Sequence, residues 1–262
     1  MELLCLNCAN PLHESFRFCP QCSQKTTRHR LSIHDIAHDA IHYFTHADRG
    51  LFSLIRDLTT NTGKVAREYV GGMRKKHFPP LNFYLIVGFL VLLAYNMQEI
   101  PPELRNMAET KVENPDNLQL TYKVRQAKAA LFMAQKSDML MILALPITTL
   151  AFWLFYRRSK YNFIEHMVAC MYMAGFSMLV YAAIILPTAH LFDFPDYVTS
   201  ILHFGFQLAY ATVFYYRFME STKLRHAARA FFATLFGAFL WIAFIVSITQ
   251  IYVSTEFWGL LG

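Results

Sequence analysis

Five long apolar runs follow one another after residue 80, and they constrain the fold more than any other feature of the chain. A helix rises about 1.5 Å per residue, so about 20 apolar residues cross the roughly 30 Å hydrocarbon core of a bilayer. The chain is 55% hydrophobic and only 16% charged, whereas a soluble domain carries about 25% charged residues. We therefore predict an all-α membrane protein with about five transmembrane helices. The predicted spans are residues 81–97, 139–156, 163–186, 198–216 and 231–253.

The boundary between polar and apolar sequence is the stretch 71–80, GGMRKKHFPP. Its two prolines suit the start of a helix, because proline is tolerated there and not in a helix interior. Lysine and arginine beside an apolar span attract anionic lipid headgroups. This pattern predicts a membrane-surface role for Arg74, Lys75, Lys76, Arg157 and Arg158.

The distribution of positive charge predicts the orientation. Of the 24 Lys and Arg residues, 18 lie in residues 1–80, 157–162 and 217–230, which the five spans place on one side of the membrane. The other six lie in residues 98–138, on the opposite side. Cytoplasmic segments carry the excess of Lys and Arg, so we predict a cytoplasmic N-terminus and an external C-terminus. Residues 1–30 contain no continuous apolar core, so we expect no signal peptide.

Four of the five cysteines form two Cys-x-x-Cys pairs near the N-terminus: Cys5, Cys8, Cys19 and Cys22. Each pair presents two sulfurs to one ion, and four thiolates close a tetrahedral zinc site with no position left for water. We therefore predict a structural Zn²⁺ in a small zinc ribbon. A redox dithiol pair and an iron centre are the alternatives.

The segment between the cysteines and the boundary has the pattern of amphipathic helices. Ser32 is predicted to cap a helix that runs to about His46, and further helical turns are expected over 51–59 and 64–70, with a break near 61–63. His34, His38 and His42 recur at every fourth position of the first helix. This stripe either shares a metal or is a solvated, headgroup-facing surface.

These patterns divide the chain into three predicted parts. They are a zinc ribbon at 1–27, an amphipathic helical juxtamembrane region at 28–80 and a transmembrane helical bundle at 81–262.

Glu165 and His166 open the third apolar run and are the only adjacent acid and base in a predicted span. Ionisable groups in a membrane are costly and are therefore candidates for function. The pair is a weak candidate for catalysis, proton relay or headgroup binding. It is equally suited to hydrogen bonding with Arg157 or Arg158, or to contact with water at the span end. We expect structural roles for His203, Gln207 and Cys170.

Residues 49–84 contain a series of short motifs in a fixed order. They are Arg49-Gly50-Leu51-Phe52, Leu54-Ile55-Arg56-Asp57-Leu58, Gly63-Lys64-Val65-Ala66-Arg67-Glu68-Tyr69, Gly72-Met73-Arg74-Lys75 and Pro79-Pro80-Leu81-Asn82-Phe83-Tyr84. Together with the cysteine pairs and Glu165-His166, they resemble a bacterial membrane family known only as domain of unknown function 3667. Thr62 stands where that family often has proline. The resemblance implies a bacterial inner membrane location and no catalytic residue.

Two functions are consistent with this sequence. The first is a non-enzymatic adaptor or scaffold, which meets the lipid bilayer through its helices and a cytoplasmic protein through the zinc ribbon. The second is a transporter or a lipid-acting membrane enzyme that uses Glu165 and His166. Nucleic acid is not expected as a partner, because the positive charge follows membrane topology. The chain contains no phosphate-binding glycine loop, serine elbow or His-Glu-x-x-His motif.

Overall fold

The computed structural model describes residues 3–26, 30–36, 50–96, 101–111, 118–220 and 224–255. These residues form a mostly helical protein with a small sheet at the N-terminus. The strands are β1 Leu3–Leu4 and β2 Pro11–Leu12. The helices are α1 Gly50–Thr60, α2 Lys64–Val70, α3 Pro80–Asn96, α4 Pro102–Glu109, α5 Leu118–Gln135, α6 Ser137–Tyr156, α7 Phe163–Val180, α8 Leu186–Leu191, α9 Asp196–Phe218 and α10 Leu224–Thr255.

The N-terminal strands pair antiparallel, with Leu3 opposite Leu12. Residues 33–36 then form a helical turn. Ser32 caps this turn as predicted, because its hydroxyl accepts a hydrogen bond from the amide of Asp35 at 3.3 Å. The rest of the predicted helix, with His38 and His42, lies outside the described residues.

The predicted break between α1 and α2 is confirmed at Gly63, which has a φ of +78°. A Cβ atom at this position would lie 2.3 Å from the carbonyl oxygen of Phe214. Glycine is therefore required here for two reasons, the left-handed backbone and the close approach of α9. The turn lets α1 and α2 pack against the bundle and bury Leu54 and Tyr69.

The helix α7 lies at the centre of the bundle and packs against α3, α6 and α9. Its Gly175 allows α3 to come close, since a Cβ there would lie 2.8 Å from the ring of Phe83. The hydroxyl of Tyr172 is buried and donates to the carbonyl oxygen of Phe78 at 2.6 Å. That bond satisfies a buried polar group and ties the start of α3 to the central helix.

The central helix continues beyond residue 186, where the predicted third span ends. A π-helical turn, Tyr181–Ile185, joins α7 to α8, which continues to Leu191. Pro187 therefore lies inside a continuous helix, just after the π-helical turn. Prolines and π-helical turns are both sites where the regular hydrogen-bond ladder of a helix is interrupted.

The prediction of about five transmembrane helices is wrong for the described part of the chain. Two helices there are long and apolar enough to cross a membrane, Phe163–Leu191 and Leu224–Ser254. Two further apolar helical segments of the described residues are shorter, Pro80–Ala94 in α3 and Ile142–Tyr156 in α6. The helix α9 has 23 residues, but polar side chains recur along it. These include Asp196, Thr199, Ser200, His203, Gln207, Thr212 and Arg217.

Several helix ends meet the N-terminal segments at one end of the bundle. We call it the basic end and define it as residues 30–36, 50–78, 156–166, 214–220 and 224–229. Its parts are joined by hydrogen bonds to backbone carbonyls: Arg67 donates to Arg217 at 2.7 Å, and Arg217 donates to Thr60 at 3.2 Å. At the opposite end, the side chain of Arg125 in α5 donates to the carbonyl of Val253 in α10 at 3.0 Å.

Candidate functional site

The four N-terminal cysteines converge on one point. Their Sγ atoms all lie within 4.8 Å of one another. The Sγ atoms of Cys5 and Cys22 are 3.6 Å apart, and so are those of Cys8 and Cys19. These separations are far longer than a disulfide bond of about 2.05 Å, and all four side chains are free thiols. The cluster could therefore hold a metal ion.

The two Cys-x-x-Cys turns have the same backbone geometry. The amide of Ala9 donates to the carbonyl of Cys5 at 2.9 Å, and the amide of Ser23 donates to the carbonyl of Cys19 at 2.8 Å. Ala9 and Ser23 both take positive φ values, 58° and 56°. A left-handed residue with a side chain costs about 1–2 kcal/mol. Binding of one ion by all four sulfurs would offset the cost of these two turns in so small a module.

The donor set fits a tetrahedral thiolate site. Sulfurs bound at about 2.3 Å in a tetrahedron lie roughly 3.8 Å apart, close to the two separations of 3.6 Å. Thiolates suit soft metals such as zinc or the iron of an iron–sulfur centre. Four protein ligands leave no open position for water or substrate, so the centre has the character of a structural site.

The cysteine module is docked on the boundary stretch through both of its turns. Leu6, between the first two cysteines, lies over Gly72: a Cβ atom on Gly72 would be 2.7 Å from its Cδ1. Gln24, two residues after the last cysteine, is buried, and its Oε1 accepts a hydrogen bond from the amide of Lys75 at 3.1 Å. Gly72 has a φ of +107°, which favours glycine.

Glu68 organises the same stretch from α2. Its carboxylate accepts from Lys76 Nζ at 2.7 Å and from His77 Nε2 at 2.8 Å, and Lys64 Nζ lies 3.7 Å away. Burial favours the neutral acid, but the hydrogen bonds from Lys76 and His77 outweigh it and lower the pKa of Glu68. Burial lowers the pKa of His77 despite the neighbouring carboxylate, so a neutral His77 donates to Glu68 at neutral pH.

Glu165 lies in a capping box at the start of α7. The amide of Asn162 donates to Glu165 Oε2 at 2.7 Å, and the amide of Glu165 donates to Asn162 Oδ1 at 2.8 Å. The guanidinium of Arg30 forms a two-pronged pair with the carboxylate, with distances of 3.0 Å and 3.3 Å, and also donates to the carbonyl of Lys160. Glu165 therefore joins the N-terminal segment to the central helix. Its arginine partner is Arg30, whereas the sequence suggested Arg157 or Arg158.

His166 is fully buried in an aromatic surrounding. Its ring stacks on Tyr215 with an angle of 6° between the planes and lies near Tyr156, Tyr161 and Phe218. The Nδ1 atom is 3.5 Å from the Tyr215 hydroxyl, which is in turn 3.2 Å from Cys170 Sγ. With no exposed surface on His166, contact between this ring and a substrate would require the surrounding helices to open.

The other predicted residues are spread over the molecule. Lys75, Lys76, Arg157 and Arg158 are exposed at the basic end, and Arg74 is half-buried there. His203 stacks on Tyr181 near the π-helical turn, at a centroid distance of 4.4 Å. His34 is exposed, and it is not part of any group of potential metal ligands found among the described residues.

Sequence reasoning missed Gln24 and Gly72, which dock the cysteine module, and Arg30, which pairs with Glu165. Gly72 and Glu68 stand in the motifs that carry the family resemblance, and this was the available signal for them. Arg30 and Gln24 gave none, because their partners lie 135 and 51 positions away in the chain.

Fold and site together define a helical protein with two apolar helices of membrane-spanning length and a four-cysteine cluster that could bind a metal. Residues 48–92 match the model of a family described as "Protein of unknown function (DUF3667)". The match covers α1, α2 and most of α3 and supports the resemblance seen in the motifs. No curated protein and no solved structure matches the chain.

Proposed function

We propose that this protein is a membrane-anchored, non-enzymatic adaptor whose zinc ribbon is presented at the membrane surface to a cytoplasmic protein partner. The observation that carries this proposal is the docking of the cysteine module on the boundary stretch, by Leu6 on Gly72 and by Gln24 on Lys75. A closed thiolate centre performs no chemistry of its own, but it shapes a small surface and holds it in place.

The exposed apolar surface of the bundle supports anchoring in a bilayer. Only 17% of the most apolar window of Leu224–Ser254 is buried, which does not suit the core helix of a soluble protein. Large apolar side chains are exposed along α3, α6, α9 and α10, far more than a soluble monomer shows. Examples are Leu85, Phe89, Leu93, Leu143, Leu150, Ile201, Leu202, Phe232, Phe239 and Ile242.

The basic end supports a cytoplasmic location for the cysteine module. Tertiary contacts bring together the three segments that hold most of the Lys and Arg, and cations prefer the cytoplasmic side. The helix α10 begins at this end and reaches the opposite end at Val253. In this proposal the N-terminus is cytoplasmic, the C-terminus is external, and the membrane is the bacterial inner membrane that the family resemblance implies.

The cysteine module offers a surface to a partner. Leu3, Leu4, Phe16 and Phe18 are exposed on it, and exposed apolar residues on so small a unit favour protein contact. In this proposal the chain divides at residues 27 and 80 into a zinc ribbon, a juxtamembrane region and a helical bundle.

A transporter or lipid-acting enzyme built on Glu165 and His166 has less support. The carboxylate of Glu165 is already engaged by Asn162 and Arg30, and His166 is enclosed by aromatic rings. Both interactions suit a structural role.

The test combines metal analysis, flotation and partner capture on the full-length chain in mild detergent. We expect about one zinc per chain. Cys19→Ser should lose the metal and the captured partner, yet still float with liposomes. Cys170→Ser is the matched control, because it changes a buried cysteine outside the cluster and should keep both. A partner that binds the metal-free Cys19→Ser variant as well as it binds the unaltered chain would refute the adaptor role of the ribbon.

A further inference from the structure

Four arginines at the basic end have exposed side chains: Arg157, Arg158, Arg225 and Arg229. None has an acidic partner within the part of the chain that the structure describes. The acids of the basic end are engaged elsewhere. Asp35 accepts hydrogen bonds from the amide and hydroxyl of Ser32. Asp57 pairs with Arg56, Glu68 with Lys64 and Lys76, Glu165 with Arg30, and Glu220 with Arg67 and Lys160.

Arg157 and Arg158 directly follow α6, Arg225 and Arg229 lie in the first turns of α10, and these two helix ends contact each other. The hydroxyl of Tyr156 donates to the carbonyl of His226 at 3.1 Å. The guanidinium of Arg229 lies 5.7 Å from the centroid of the Tyr156 ring. Arg225 is one helical turn before Arg229 and therefore lies on the same face, while Arg157 directly follows Tyr156. The fold therefore brings together two helix ends that each carry two of these positive charges.

The surface that continues from this cluster along the two helices is apolar. Leu150 and Leu154 of α6 and Phe232 and Phe239 of α10 are exposed. The two helices pack closely here, since a Cβ atom on Gly237 would lie 3.4 Å from the Cβ of Ala151. A ligand with a negative head and apolar tails would meet both surfaces at once.

We propose that Arg157, Arg158, Arg225 and Arg229 form a binding site for the phosphate headgroup of an anionic phospholipid, with its acyl chains along α6 and α10. Uncompensated like charges repel one another, so the cluster favours an anion. Arginine binds phosphate oxygens with two parallel N–H donors, and basic sites between apolar helices on the cytoplasmic side bind such headgroups. A free phosphate shares the headgroup chemistry, but it would leave the apolar surface uncovered.

This inference rests on the membrane anchoring proposed above, and it concerns a different site from the zinc ribbon. The experiment measures binding of phosphatidylglycerol and phosphatidylcholine to the full-length chain in neutral detergent, by native mass spectrometry. The test variant is Arg225→Gln with Arg229→Gln. The matched control is Arg105→Gln with Lys123→Gln, which removes the same charge from exposed positions outside the basic end.

We expect the chain to prefer phosphatidylglycerol and the test variant to bind it about 25-fold more weakly, from about a fivefold loss for each of the two cations. The control variant should bind like the unaltered chain, and both variants should keep their zinc and their helical circular dichroism. Equal loss in the two variants would mean that only net charge matters and would overturn the site.

Inorganic phosphate provides a second arm. If millimolar phosphate displaces the lipid completely from the unaltered chain, the site recognises phosphate alone and the assignment to a phospholipid is wrong. Flotation separates this result from a failure of the anchoring itself. A chain that floats with liposomes but shows no preference for the anionic lipid disproves this site only, whereas a chain that does not float disproves the anchoring.

Discussion

Replacing Gly72 by alanine tests whether docking of the cysteine module contributes to metal retention. Residue 72 is not a metal ligand. Its added methyl group would lie 2.7 Å from Leu6 Cδ1, and its φ of +107° lies outside the range that alanine adopts without strain.

The expected loss follows from these two effects. A residue with a side chain in a left-handed backbone costs about 1–2 kcal/mol. Leu6 is 37% exposed, so its side chain can rotate away from the added methyl group. That rotation relieves the clash but removes the contact that docks the cysteine module. If the metal leaves mainly from the undocked module, a loss of about 1–2 kcal/mol accelerates release roughly 5- to 30-fold.

The assay follows zinc release from the purified chain into an excess of a coloured chelator. Leu6→Ala is the companion variant, because it removes the contact without straining the backbone, and it should release zinc faster by a smaller factor. Gly205→Ala is the control. No atom lies within 4 Å of a Cβ atom at that position, so release should be unchanged.

A Gly72→Ala protein that releases zinc at the unaltered rate would refute the linkage between docking and metal retention. So would faster release that occurs equally in the Gly205→Ala protein, since that would reflect general loosening of the fold. Limited proteolysis of residues 1–36 gives an independent reading, because an undocked module should be cut sooner.

Three further predictions concern the contacts around the boundary. Glu165→Gln should lower the free energy of unfolding by up to about 1 kcal/mol, because Arg30 is largely exposed and solvent screens the pair. Glu165→Ala should lower it by about 1 kcal/mol more, because this change also removes the capping box. Acidification below pH 6.5 should destabilise the protein, because the pKa of His77 in the folded protein is lowered from 6.5 and the unfolded chain therefore binds the proton first. His77→Gln should weaken this dependence of stability on pH. Tyr172→Phe should cost about 1–3 kcal/mol, since it removes a buried hydrogen bond to the carbonyl of Phe78.

Thermal and denaturant unfolding in detergent measure all three effects. If Glu165→Gln and Glu165→Ala are equally stable, the capping box contributes nothing measurable. A His77→Gln protein that loses stability between pH 7.5 and 5.5 as steeply as the unaltered chain would assign the dependence to another group. Full stability of Tyr172→Phe would show that water or a backbone shift replaces the lost donor.

The short-range structural features could be predicted because each depends on residues that are close together in the chain. Two Cys-x-x-Cys pairs bring four thiols together, and the structure places their sulfurs within 4.8 Å. Thr62-Gly63 breaks a helix, and the structure shows the left-handed turn between α1 and α2. Ser32 and its hydrogen bond with Asp35 follow the same local logic.

The membrane spans show where composition is insufficient. We predicted spans from the number of apolar residues in a stretch of sequence. A membrane span requires more, namely one continuous helix that is long enough and carries apolar side chains throughout. Among the described residues, α3 and α6 contribute only shorter apolar segments, Pro80–Ala94 and Ile142–Tyr156, and polar side chains recur along the 23 residues of α9. The side chains of these helices then divide between core contacts, such as Phe152 on Tyr215, and exposed apolar surface.

By itself, the sequence determined the cysteine cluster, the helical class and the concentration of positive charge in three segments, because spacing, periodicity and composition are properties of nearby residues. Only the tertiary structure decided which groups meet. Arg30 reaches Glu165 across 135 positions, Leu6 lies on Gly72, and Arg229 lies over Tyr156. The physical reason is that such contacts depend on how helices pack, and packing is determined by the surfaces of the whole chain together, which no local pattern of residues records.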